Sequence, residues 1–405
     1  MQFNHPLPEI QTQRLATKLR PAAERMVKKE HPWVYDQGIL KIKEGGKPGD
    51  LSIIFDTKTN KFLALGLYDP SSPIRLKLIQ HYEAAQIDEV FFAQKIRYAK
   101  QQRKALLKTD TNSYRLLFGE NDGMPGFICD VYDKVAVVKL YSEIWLPYLK
   151  MILPHVIEQS ACETMVIRFS RNLQNKNLYG LKEGMVIYGE LENDVVIFRE
   201  HSVRFSANVI HGHKTGYFLD HRENRRRVGE MAKGKRVLDV FSYAGGFSVH
   251  ALAGGAKEVM SVDISAQALE VAKENAALNL HKGKHITRDV DAFRGMEQLI
   301  DNGEKFDVVV IDPPSFAKQA SEVQKALYSY EKLAKAGAHL VARGGVLLLA
   351  SCSSRIVAKE FFELSESTLR NTGKSFRILA KTYHDADHPI SFPEGAYLKS
   401  GYYQF

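Results

Sequence analysis

The sequence predicts an α/β protein with a parallel sheet in its C-terminal half, behind a small β-barrel or sandwich and a mixed α+β segment. Three observations predict it. From about residue 236 short apolar runs alternate with helical segments, the pattern of a sheet covered on both faces. The first third carries short strand-like runs broken by Gly, Asn and Pro. The chain's 405 residues exceed what one ordinary core holds, so two or three domains are expected.

Taken in order, residues 51–56, 62–69 and 74–79 read as strands, with a turn at Thr59-Asn60 and a break at Pro70-Ser-Ser-Pro73. A Lys-, Arg- and Gln-rich helix is expected over 87–107. Residues 127–141 read as a hairpin turning at Asp133-Lys134, 145–160 as a helix, and 165–170 and 195–200 as strands. The parallel sheet is expected from strands at 236–240, 258–263, 285–288, 306–312 and 345–350, with helices over 266–279 and 322–342. The residues before Arg14 have no assigned role.

Composition bounds the function. At 44% hydrophobic and 25% charged the chain is a folded protein rather than a disordered one. A formal charge of +9 favours polyanionic partners. No run approaches the roughly 20 apolar residues that span a bilayer, so no membrane partner is expected. The first residues lack an apolar secretory core. Cys129, Cys162 and Cys352 have neither metal-ligand spacing nor a disulfide framework. No metal is expected, and a reducing cytoplasm fits. Cys129 and Cys162 read as structural thiols.

Ligands of open α/β sheets bind outside the carboxyl ends of the strands, and unusual residues gather there. After the first strand comes Phe241-Ser-Tyr-Ala-Gly-Gly-Phe-Ser248, where Gly245 and Gly246 let backbone approach a ligand and the next helix offers free N–H groups. Asp263 ends the second strand, placed for ribose hydroxyls or as a helix cap. Asp291, after the third, can face an adenine amino group or cap a helix, with Phe293 nearby. Asp312 opens Asp312-Pro-Pro-Ser-Phe316, a stiff loop that fixes the carboxylate's direction; such loops signal methyl transfer to planar nitrogen-containing groups. Cys352, in Ser351-Cys-Ser353, emerges beside Asp312 in a polar turn expected to lower the thiol's pKa and favour the attacking thiolate.

At these residues the chain resembles the ribosomal RNA large-subunit methyltransferase I family, which makes 5-methylcytosine in 23S rRNA. The resemblance is carried by Lys214-Thr-Gly-Tyr-Phe-Leu-Asp220-His-Arg222-Glu-Asn-Arg225, the three strand-end motifs above and Asp263-Ile-Ser265. It continues in Asp387-His-Pro389, Pro393-Glu-Gly-Ala-Tyr-Leu398, His31-Pro-Trp-Val34 and Gly66-Leu-Tyr-Asp-Pro-Ser-Ser-Pro73, so it spans nearly the whole chain. It implies a PUA RNA-binding barrel over 13–84, a middle domain over 85–195 and a Rossmann-like class I methyltransferase domain over 196–405. It implies S-adenosylmethionine (SAM) as cofactor, held by Phe241, Tyr243, Gly245, Asp263, Asp291 and Asp312, with Arg222 and Lys214-Thr-Gly216 helping to close the site. The implied partner is 23S rRNA or a large-subunit precursor; a homodimer is left open.

The chemistry that follows has Cys352 attack carbon 6 of an unpaired cytosine, with Asp312 on the base's polar edge. Arg225, Arg226 and Arg227 are candidates for phosphate contacts or a solvated helix face. Two positions depart from the family, Ala244 (often Thr) and His221 (often Gln), and neither is expected to touch the chemistry. An amino-group methyltransferase of the same fold, with Cys352 inert, and a non-catalytic RNA-binding assembly factor are the alternative readings.

Overall fold

The computed structural model describes residues 2–176 and 178–405. It divides into two compact units. One comprises Met1–Arg199, Ser206–Leu219 and Ala386–Pro393, and the other Glu200–Phe205, Asp220–Asp385 and Glu394–Phe405. Among the described residues no helix is long and apolar enough to cross a membrane.

The first unit is built on two sheets. A six-stranded sheet orders Trp33–Tyr35, Ile74–His81, Phe62–Tyr68, Leu51–Phe55, Arg14–Leu19 and Ile39–Ile42, around a core that includes Leu19, Ile54, Leu76 and Leu78. A five-stranded sheet orders Met185–Tyr188, Thr164–Phe169, Val135–Leu140, Phe127–Tyr132 and Ser113–Phe118. The hairpin at Asp133 forms as expected, with Asp133 in the left-handed region at φ 53°. The helix expected over 87–107 is shorter, Glu89–Gln102; at its start the Asp88 side chain accepts Phe91 N–H at 3.0 Å and caps the first turn. The helix expected from residue 145 begins as a 3-10 turn, Glu143–Tyr148, and becomes α-helical only over Leu149–Ser160. Pro147, which has no N–H and restrains the residue before it, sits at that change. The segment before Arg14 is tied down: Asn4 N–H donates to Ile187 O at 2.9 Å, and Leu7 is buried.

In the second unit the strands are numbered β1 Arg236–Val240, β2 Glu258–Asp263, β3 Lys284–Asp289, β4 Phe306–Ile311, β5 Val341–Ser351, β6 Arg377–Thr382 and β7 Lys399–Gln404. Their order is β3-β2-β1-β4-β5-β7-β6. The first five are parallel, as their apolar runs predict. The order reverses at β1/β4, the switch point where ligands of such sheets bind. The helices are α1 Arg222–Met231, α2 Gly246–Ala253, α3 Ala266–Ala277, α4 Ala292–Asp301, α5 Val323–Leu340 and α6 Ala358–Asn371. On one face Leu238, Val309, Ile311 and Leu347 pack against Leu333 and Ala338 of α5.

The antiparallel β7 and β6 escape sequence reading. β7 is Lys-Ser-Gly-Tyr-Tyr-Gln, with Lys399 and Ser400 buried, and β6 is an edge strand with exposed Ile378 and Leu379. Gly401 is required there, since a Cβ would come within 2.4 Å of Tyr403 Oη.

Behind the sheet's edge lies a buried ionic cluster that composition does not reveal. Glu200 is wholly buried and takes both forks of Arg225, Nε at 2.7 Å and Nη2 at 2.6 Å, with His250 Nε2 at 2.9 Å. Burial works against ionising this carboxyl, but Arg225 and His250 outweigh it and hold Glu200 well below the usual carboxylate range. Removing one partner of a buried pair leaves an uncompensated charge. Arg225→Ala is therefore expected to lower unfolding free energy by about 3–5 kcal/mol in urea titration.

Candidate active site

The site forms where β1, β4 and β5 end. The register pairs Ile311 with Leu349. Asp312, one residue past β4, and Cys352, one past β5, therefore emerge together. Cys352 Sγ lies 3.8 Å from Asp312 Oδ1, and both side chains are part-exposed. Pro313, buried, and Pro314 hold the Asp312 loop.

The third member is His221, which the sequence reading set aside. Its Nε2 lies 3.2 Å from Asp312 Oδ1 and 3.7 Å from Cys352 Sγ, so it does touch the proposed chemistry. Asn224 Nδ2 sits 3.0 Å from His221 Nδ1, while Asn224 Oδ1 receives the Thr382 and Tyr402 hydroxyls at 2.8 and 2.9 Å. With the Asn224 amide donating to Nδ1, the neutral ring carries its proton on Nε2, facing Asp312. Burial lowers the imidazole's pKa, but the Asp312 carboxylate more than offsets this and raises it.

The thiol behaves opposite to expectation. The protein packed around Cys352 and the neighbouring carboxylates of Asp312 and Asp220 push its pKa well above the ordinary value. The resting side chain is a thiol donating toward Asp312, not a free thiolate, because the serine-rich turn is outweighed by desolvation and like charge. Buried Lys399 opposes this. Its ammonium donates to the carbonyls of Ser353, Ile356 and Tyr397, fixing the loop after Cys352, and burial draws its own pKa down to about 8. Lys399, at the start of a strand with no apolar run, gave no sequence signal for this role.

The loop after β1 alternates left-handed residues: Phe241 at φ 64°, Tyr243 at 48° and Gly245 at 77°. Two non-glycine residues there store about 1–3 kcal/mol each. Gly245 serves packing first, since a Cβ would stand 2.8 Å from Ala272 Cβ of α3. Asp263 shapes the same loop. Its Oδ2 accepts Tyr243 N–H at 2.8 Å and its Oδ1 accepts Ser265 N–H at 2.9 Å. Asp291 caps α4, one oxygen accepting Phe293 and Arg294 N–H at 3.1 Å each, and its side chain is exposed beyond β3. Arg222 is fully buried in α1, with Nε 3.9 Å from Glu200 Oε2. Thr215, in the other unit, donates its hydroxyl to Asp130 at 2.5 Å.

Polar atoms at this edge await a partner. Among the described residues, buried Asp239 Oδ1 and Ser242 Oγ have none. Asp239 accepts the Ser248 N–H and hydroxyl, yet burial, aided by Asp312 and Asp263, pushes it up to about 7. Beside Asp263, Ile264 is 75% exposed. Carboxylates, unmatched polar atoms and bare apolar surface together fit a ligand with hydroxyls, a flat apolar ring and positive charge.

Comparisons with known proteins place the fold. An S-adenosylmethionine-dependent methyltransferase family matches residues 147–396, and a PUA-like domain matches residues 18–81. A SAM-dependent methyltransferase chain from Streptococcus mutans shares the fold at TM-score 0.80 with 19% identity, covering 97% of this chain and all of that one. Another methyltransferase, solved with S-adenosylhomocysteine, aligns at TM-score 0.79 with 18% identity, covering 98% of this chain and 100% of that one. The fold and the site thus define a class I SAM-dependent methyltransferase carrying a PUA-like N-terminal domain.

The relatives narrow the class. The ribosomal RNA large subunit methyltransferase of Deinococcus radiodurans is 42% identical over 98% of this chain and 99% of its own. The ribosomal RNA large subunit methyltransferase I of Aeromonas salmonicida is 34% identical over 93% and 96%. The chain belongs to the ribosomal RNA large subunit methyltransferase I family.

Proposed function

We propose that this enzyme methylates carbon 5 of a cytosine in 23S ribosomal RNA, through a covalent bond between Cys352 and the base. The observation that carries the reading is the meeting of Cys352 Sγ and Asp312 Oδ1 at 3.8 Å beyond β4 and β5. The relatives' names supply the ribosomal RNA. An amino-group methyltransferase has no use for a sulfur at that place.

Cytosine carbon 5 is a weak nucleophile. Cys352 gives its proton to Asp312, and Sγ bonds to carbon 6. The displaced electron pair moves through carbon 5 and carbon 4 to ring nitrogen 3, which takes the proton from Asp312. Carbon 5 is now enamine-like. SAM, when bound, supplies an electrophilic methyl group on a sulfonium. Phe241, Tyr243, Gly245, Asp263 and Asp291 would hold it, with Arg222 supporting the site. Once carbon 5 carries the methyl group its proton leaves to water, since the 312–316 loop holds no second cysteine. The carbon 6–sulfur bond then breaks, restoring the 5,6 double bond; ring nitrogen 3 returns its proton to Asp312, which passes it to the departing thiolate, so both residues regain their starting forms. His221 N–H holds the Asp312 carboxylate in line throughout.

A stacked cytosine hides carbon 6, so the target is unpaired or flipped out, which costs a few kcal/mol. The barrel of residues 13–84 and the middle domain of 85–195 would offset this through backbone and shape contacts. Bisulfite sequencing of 23S rRNA from cells with and without the gene is the test. One protected cytosine is expected to become convertible when the gene is deleted. Unchanged cytosine protection, with loss of a methylated exocyclic amine in nucleoside mass spectrometry, would establish the amino-group reading instead.

A further inference from the structure

The basic run at Arg225–Arg227 looks like the natural place for RNA phosphates, but much of it is spent internally. Arg225 is locked on Glu200, and Arg226 pairs with Glu223 at 2.9 Å and with Glu230. A concentration of unspent cations lies elsewhere, in the first unit. A cleft of about 230 Å³ is lined by Lys139, Arg168, Arg171, Glu183, His213 and Lys214, among others. These come from four separate stretches of chain, so no window of sequence shows them together.

Within the cleft the only carboxylate among the lining residues is already matched. Arg168 is buried and donates Nε to Glu183 at 2.6 Å, Nη1 to Val209 O and Nη2 to Gly212 O at 3.1 Å each. It serves as the brace that forms the rim at 209–212. Lys139 Nζ donates to the Lys214 carbonyl at 2.9 Å, a neutral group. Arg171 and Lys214 are exposed, and their side chains meet no acidic partner among the described residues. Lys214 is also held at φ 58°, the left-handed region, which favours glycine and is retained in other residues where a site over-determines it. The crowding is felt: burial and the charges of Arg168, Lys214 and Arg171 lower the Lys139 pKa. A fold that keeps Lys139, Arg168, Arg171 and Lys214 this close, with Glu183 the one carboxylate among the lining residues, is shaped for an anion.

We propose that this cleft of the first unit binds backbone phosphate of the RNA substrate, with Arg171, Lys139 and Lys214 as the contacting cations. The proposal rests on the RNA reading above. A planar Arg171 fork suits phosphate oxygens, and the cleft is open, at a volume beyond that of a single small anion. It gives the enzyme a second, sequence-independent hold on RNA, apart from the PUA-like barrel.

Filter binding of the full-length protein to transcribed 23S rRNA, between 50 and 200 mM salt, tests it. Releasing one phosphate contact lowers the slope of log affinity against log salt by about 0.7–0.9, and affinity at 0.1 M salt about five- to eightfold. Arg171→Ala and Lys214→Ala are each expected to show both changes, and Arg171→Lys to recover most of them. The control is Lys359→Ala, at an exposed α6 residue. Variants that bind with unchanged slope, or that change only as much as the control, overturn the cleft while leaving the RNA reading intact. Wild-type protein that fails to bind RNA at all overturns both.

Discussion

Cys352→Ala is expected to lower methyl transfer to RNA by about 10⁴-fold or more, the scale of losing a covalent nucleophile, while SAM binding by calorimetry is retained. The sulfur stands past the end of β5, and its neighbours Ser351 and Ser353 are buried. The side chain is part-exposed and small, and its truncation leaves the loop pinned by Lys399. RNA carrying 5-fluorocytosine makes the prediction sharper. Fluorine cannot leave as a proton does, so the reaction stalls after methylation with carbon 6 still bonded to Sγ. Wild type should show a protein–RNA adduct that survives denaturing electrophoresis, and Cys352→Ala should show none. Full activity in the alanine variant, with no adduct in wild type, would mean that the nucleophilic reading is wrong and that the thiol merely fills the edge of the sheet.

The features legible in the sequence share one property: each sits at the end of an apolar run. Asp263, Asp312 and Cys352 follow three such runs, so period and position alone bring them to one sheet edge. The polar edge residues that were missed carry no such local mark. His221 precedes α1, more than a hundred residues from Cys352 in sequence, and only the folded chain brings its Nε2 against Asp312. Glu200 finds Arg225 and His250 the same way. Asp291 had two readings in the sequence, ligand contact and helix cap, and a cap is what its hydrogen bonds form. The expected low thiol pKa failed for a related reason. Hydroxyls around a cysteine are visible in sequence, whereas the surrounding packing and an acid arriving from the neighbouring strand are not.

Asp312→Asn is expected to lower the maximal rate about 10²–10³-fold, the scale of losing one preorganised polar group at the developing charge, and to shift the pH profile. The carboxylate has three roles that asparagine cannot combine: accepting the thiol proton, protonating ring nitrogen 3, and anchoring His221. The direction of the shift follows from the thiol. In wild type the Asp312 charge helps push Cys352 above its ordinary pKa. A neutral amide removes that repulsion and the pKa falls, so the thiolate appears at lower pH. The alkaline rise in rate should therefore move toward neutral pH in the variant even as its ceiling drops. Thiol alkylation of the free enzyme by iodoacetamide reads the same ionisation without RNA or SAM, and should show its midpoint displaced downward in the variant. A midpoint that stays put, or moves up, would mean that the carboxylate does not govern the sulfur, and the proton path from Cys352 through Asp312 would have to be abandoned.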